Sequence, residues 1–142
     1  MATGTAGTTA RRSEAQCIHY LRADFSAAEA DVSGGTTKLV GILPAGAIMI
    51  RNISGFMVLV AFDDTTVVDI GTAATGDLYA TNLVTTSTGM IPIDEAVTNK
   101  VYVDTAVYCN VAGNGSVTVG AGSCIISYVL ANDTNTWLGE QS

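Results

Sequence analysis

The sequence is short of charge, of lysine, of proline and of long apolar runs. Charged residues make up 13% of its 142 positions, about half the ~25% of an ordinary soluble domain. Lys38 and Lys100 are the only lysines, and six basic residues stand against thirteen acidic ones, for a net charge of −7. A nucleic-acid binder needs a basic face to displace counterions, and a protein resting on an anionic membrane needs a basic patch, so the composition argues against both partners. No run approaches the ~18 apolar residues of a membrane helix. Residues 1–10 are mostly Ala, Thr and Gly and lack the apolar stretch of a secretion signal. The three cysteines, Cys17, Cys109 and Cys124, cannot all pair within one chain. The expectation is synthesis in a reducing cytosol. Also missing is any amphipathic pattern long enough for a helix of ten residues. Yet 48% of the residues are hydrophobic and only two are proline, which is not the composition of a disordered chain.

What is present is a series of short β-forming segments at close spacing. Cys17–Phe25 alternates roughly, and Ser26-Ala27-Ala28-Glu29 suits one helical turn with Ser26 as cap and Glu29 reaching back. Thr36–Leu43 reads as a strand, Pro44-Ala45-Gly46 as a turn and Ala47–Ile53 as the next strand. Phe56–Phe62 is almost wholly apolar, which predicts a central strand covered on both faces. Thr66–Ile70 continues the series, and Pro92 puts Met90–Ile93 at an edge. Val97–Asp104 and Ala106–Val111 read as strands. Gly113-Asn114-Gly115-Ser116 is the clearest hairpin signal, with Val117–Val119 returning and Ser123–Leu130 closing the series. Eight to ten short strands with turns between them predict an all-β fold, an antiparallel β-sandwich or barrel. The expected organisation is an N-terminal arm over 1–14, a sandwich over 15–131 and a polar tail over 132–142.

No constellation carries chemistry. The single histidine, His19, lies near Cys17 and Asp24, but proximity along one strand is not the geometry of a nucleophile and its base, so no catalytic residue is assigned. There is no Cys-x-x-Cys and no histidine pair for zinc. Asp63-Asp64 with Asp69, and Asn132-Asp133 with Asn135, are oxygen donors in turns. Turn chemistry explains them better than calcium, because neither set has the acid density of a calcium loop. Gly113–Gly120 lacks the Lys-Ser/Thr ending of a phosphate loop. No metal and no cofactor is assigned. Counting register through the expected hairpin puts Cys109 and Cys124 two strands apart, roughly 9.5 Å, beyond disulfide reach and best read as small buried hydrophobes.

The ends offer interface material instead. Arg11 and Arg12 close the arm, and Cys17 follows it. Trp137 and Leu138 sit in a polar tail, where the ring either packs back on its own domain or anchors on a neighbour, since Trp is enriched at interface hot spots.

The runs Leu43-Pro44-Ala45-Gly46-Ala47-Ile48-Met49-Ile50, Thr66-Val67-Val68-Asp69-Ile70-Gly71-Thr72-Ala73 and Gly76-Asp77-Leu78-Tyr79-Ala80 resemble small structural proteins of tailed bacteriophages. The resemblance spans about Val40–Val129 as a pattern of texture and carries no functional residues with it. It implies a jelly-roll-like β-sandwich assembled as a homotrimer on a virion, made in the bacterial host cytoplasm. Capsid decoration or cement against the major capsid protein fits best, because no fibre-like repeat is present. The alternatives are a head-fibre, neck or tail-associated protein, a receptor- or glycan-binding module, and an enzyme on a jelly-roll scaffold.

Overall fold

The computed structural model describes residues 18–95 and 99–130. Strand β1 (His19–Ser26) leads into helix α1 (Ala27–Ala30) and strand β2 (Thr36–Leu43). Strand β3 (Ala47–Met49), a 3-10 turn (Arg51–Ile53), β4 (Gly55–Val60) and β5 (Val67–Gly71) follow. The remaining strands are β6 (Ala80–Val84), β7 (Gly89–Pro92), β8 (Thr105–Ala112) and β9 (Ala121–Leu130). One antiparallel sheet runs β1-β9-β4-β7, with β3 also paired to β9; the other runs β2-β8-β5-β6. This is the expected all-β sandwich.

Alternation builds the core. On β8, Val107, Cys109 and Val111 are fully buried while the residues between them are half-buried. Phe56, Val58, Cys124 and Ile126 face them from the other sheet, with Val68 and Ile70 completing the layer. Burying each large apolar side chain contributes about 1.5–3 kcal/mol. Phe56 sits at the centre, its ring 6.1 Å from Phe25 and 6.4 Å from Phe62. Helix α1 forms the expected capping box: Glu29 N–H donates to Ser26 Oγ, and Ser26 N–H donates to Glu29 Oε1 at 3.0 Å.

Four local expectations need correction. The strand expected over Ala47–Ile53 stops at Met49, because Ile50 N–H donates to Ser127 O at 2.8 Å and the chain coils into the 3-10 turn. That turn is stitched to β9 through Ser54 Oγ, which accepts from Ser127 N–H at 2.9 Å, and Ser127 Oγ, which donates to Ile53 O at 2.9 Å. Strand β4 lies between β9 and β7 as an interior strand, but Leu59 and Val60 at its end are exposed, so both-sided cover is incomplete. Between Asn99 and Asp104 only Lys100 makes a bridge, to Ile48, so no strand runs there.

The fourth correction concerns Gly113–Ser116. Strands β8 and β9 belong to different sheets, so this segment crosses the sandwich rather than closing a hairpin. Gly115 does adopt the positive φ of 87° that Asn-Gly favours. The N–H groups beyond it, however, are taken by carboxylates: Val117 N–H by Asp31 Oδ1 at 2.8 Å, and Thr118 and Val119 N–H by Asp63 Oδ1 at 2.9 and 3.1 Å. Val117 itself is buried. Cys109 and Cys124 therefore lie in facing sheets, not two strands apart in one. Both are free and fully buried, as small hydrophobes, and burial pushes the Cys109 thiol well above its ordinary pKa, with the neighbouring Cys124 thiol adding to the effect.

Candidate functional site

The interface residues expected from the sequence, Arg11, Arg12, Cys17, Trp137 and Leu138, lie outside the described residues, as do the arm and the tail. The described chain begins and ends at one corner of the sandwich, because His19 pairs with Tyr128 across β1 and β9 and Ala47 with Leu130 across β3 and β9.

Of the residues weighed for chemistry, His19, Asp63 and Asp69 make contacts within the fold, and Cys17, Asn132, Asp133 and Asn135 lie outside the described residues. The His19 ring stacks on Tyr128, centroids 5.4 Å apart, with no nucleophile among its described partners. Asp63 binds the crossing loop through the N–H groups of Thr118 and Val119 and through the Thr118 hydroxyl; these bonds hold its carboxyl below the usual range, the hydroxyl most of all. Asp69 Oδ1 accepts from Asn82 N–H at 2.7 Å, where Asn82 takes a φ of 53° at a break in the β5–β6 register. Among the described residues no group of three potential metal ligands gathers. A shallow depression of about 410 Å³ on the outer face of the β2-β8-β5-β6 sheet is lined by Thr37, Thr72, Ala73, Gly76, Tyr108 and Asn110. Tyr108 is the one side chain of its lining that can ionise, and a single phenol is not an acid–base pair.

A further surface is the flank where β1 and β2, the outermost strands of the two sheets, run side by side. Leu21 of β1 lies over Gly41 of β2 so closely that a Cβ there would sit 2.7 Å from Leu21 Cδ2. Lys38 ties the strands together: Nζ donates to Asp24 O at 2.6 Å, pairs with Glu29 Oε2 at 2.6 Å and lies 4.9 Å from the Phe25 ring centroid. Arg22 Nε pairs with Asp24 Oδ1 at 2.7 Å, and Ser123 Oγ donates to the same oxygen at 2.6 Å. The Arg22 bond, then the Ser123 bond, holds the Asp24 carboxyl below its usual range; Lys38 does the same for Glu29.

Apolar side chains stand exposed on the outer faces of these two edge strands: Tyr20 of β1 is 66% exposed, and Leu39 and Ile42 of β2 are 51% and 53% exposed, with Ile18 just before β1. Leu39 and Ile42, three apart, point the same way because a bulge at Val40 shifts the register against β8. Sequence reading missed this surface. Its signal was apolar residues on the polar beat of two strands, Tyr20 among charges on β1 and Leu39 and Ile42 on β2.

No family model and no curated protein matches the chain. Solved structures do match. A chain of the cyanophage Pam1 capsid asymmetric unit superposes with a TM-score of 0.61 at 20% identity, covering 89% of this chain and 97% of that one. A chain of the acidic stable capsid structure of Helicobacter pylori bacteriophage KHP30 gives a TM-score of 0.59 at 16% identity, covering 80% and 88%. The likeness is one of fold, and both neighbours are parts of bacteriophage capsids.

Proposed function

We propose that this protein is a non-enzymatic structural component of a bacteriophage virion, which decorates the capsid surface as a closed homotrimer and cements adjacent units of the major capsid protein. The observation that carries the reading is the sharing of fold with a chain of a phage capsid across almost the whole of both chains. The strand order supports the jelly-roll form of the sandwich. Successive strands β1 and β2, β4 and β5, β6 and β7, β8 and β9 step between the sheets, giving orders β1-β9-β4-β7 and β2-β8-β5-β6, a double Greek-key winding. Arg11, Arg12, Cys17, Trp137 and Leu138 are the proposed contacts of the two ends with neighbouring subunits.

The physics of cementing is linkage. A protein that binds only the assembled shell stabilises it by mass action, and three linked copies raise one another's effective concentration, so modest single contacts suffice. Phage particles stripped of this protein should keep their shape but release DNA at a lower temperature than decorated ones, and adding the purified protein back should restore the higher temperature. Equal release temperatures, with the protein mapped to the tail by immunogold labelling, would overturn the cement reading in favour of a receptor-binding role.

A further inference from the structure

We propose that the β1–β2 flank is the surface through which copies of this chain join one another, the β1 edge of one copy lying against the β2 edge of the next. The inference deepens the proposed self-association and is independent of what the shell binds.

Edge strands expose unpaired N–H and C=O groups, and proteins blunt them unless they are to be paired. On the far side of this sandwich the edges are blunted. Strand β6 has five residues and β7 four, and β7 ends on Pro92. Thr81 N–H of β6 is already taken by Asp94 Oδ1 at 3.3 Å, and the register of β6 breaks at Asn82. The β1–β2 flank is longer, although β2 carries a bulge at Val40 and Lys38 reaches across to β1. Both strands have eight residues, about 26 Å of edge each. Lys38 of β2 bridges to β1 by donating from Nζ to Asp24 O. Tyr20, Leu39 and Ile42 stand beside these edges, where a neighbour would remove them from water.

Charge selects a second copy as the occupant. Strands β1 and β2 with α1 carry two cations, Arg22 and Lys38, and two carboxylates, Asp24 and Glu29, and every one of them is paired within the flank. The rest of the described residues carry Arg51 and Lys100 against eight carboxylates. Copies of this acidic chain repel one another over most of their surface, and the flank is the neutral part on which two of them can meet. Because one copy offers β1 to one neighbour and β2 to another, the contact is head-to-tail, and a ring closes it without leaving an edge free.

The test is the mass of the full-length chain by light scattering at tens of micromolar. The wild type should be a closed oligomer; Tyr20→Glu and Leu39→Glu, which place a charge on exposed positions of the flank, should run as folded monomers; Val84→Glu, on exposed β6, should keep the oligomer. Should the flank variants fail to fold, amide hydrogen exchange of the wild type replaces them. Slower exchange at high than at low protein concentration in β1 and β2, and not in β6 or β7, supports the proposal. A monomeric wild type, or dissociation by Val84→Glu and not by Leu39→Glu, overturns it. Shell protection is read separately: a monomer that still raises the DNA-release temperature sinks this inference and the trimer but leaves the cement reading standing, whereas an oligomer that does not raise it sinks the cement reading alone.

Discussion

Asp63 holds the crossing loop to the end of β4 with both carboxylate oxygens, and it is one of five aspartates among the described residues that clasp backbone. Asp31 takes Val117 N–H, Asp69 takes Asn82, Asp94 takes Thr81 and Asp104 takes Ala45. These aspartates serve loops, but Asp63 and Asp69 do so by binding N–H groups distant in sequence, Thr118, Val119 and Asn82, rather than the backbone of their own turns as expected. Asp24, Glu29 and Asp63 all have lowered pKa values in the fold. A carboxyl with a lowered folded pKa stabilises the fold at any pH above its unfolded value, and that stabilisation is lost as pH falls through the folded value. The melting temperature should therefore fall on acidification below about pH 4, where unperturbed carboxyls titrate. Asp63→Asn should melt lower than wild type at pH 7, where the wild-type carboxylate is ionised. Its own fall between pH 5 and pH 3 should be shallower. Parallel melting-versus-pH curves for the two, followed by circular dichroism, would show that Asp63 contributes no such clasp.

The crossing loop is also where element-scale reading of the sequence reached its limit. Strands β2, β5, β8 and β9 were legible within a residue or two, because period-two alternation is a local property and each has one face in the core. The connection after β8 was not. Asn114-Gly115 specifies a tight local turn but not which sheet the chain enters next. That is decided by Asp31 and Asp63, far away in sequence, and by burial of Val117. The same holds for Ser54 and Ser127, whose mutual bonds end β3, and for the Cys109–Cys124 register, which failed with the hairpin. The flank was illegible for a related reason: which strands become edges is a matter of topology, which alternation does not encode. The loop yields a discriminating substitution. A Cβ on Gly113 would collide with Val117 Cγ2 and come within 3.1 Å of Thr66 Oγ1, whereas one on Gly76 meets nothing within 4 Å. Gly113→Ala should cost about 1–3 kcal/mol by overpacking, and Gly76→Ala should stay within about 0.5 kcal/mol of wild type. Urea unfolding of both variants checks this, and equal midpoints would mean that Val117 does not anchor the loop.

At the scale of the whole molecule the deciding quantity is the distribution of charge. The chain carries −7 overall, while β1, α1 and β2 are balanced. An interface built on ion pairs between copies weakens as salt screens attraction. An interface built on a neutral apolar flank between two acidic bodies behaves in the opposite sense, because what salt screens is repulsion between the parts that do not touch. The Debye length shortens from about 30 Å at 0.01 M to about 8 Å at 0.15 M ionic strength, a range that spans the separation of non-contacting acidic surfaces on adjacent small domains. Added salt also favours burial of Tyr20, Leu39 and Ile42 only when it is strongly kosmotropic, so sodium chloride in this range isolates the electrostatic part. The dissociation constant of the oligomer should therefore tighten between 0.01 and 0.15 M sodium chloride and then level off. Sedimentation equilibrium at the two ionic strengths measures it. A constant that instead loosens steadily with salt would mean that Arg22, Lys38, Asp24 and Glu29 exchange their partners within the chain for partners across the interface, and the flank would then have to be redrawn as an ion-pair surface.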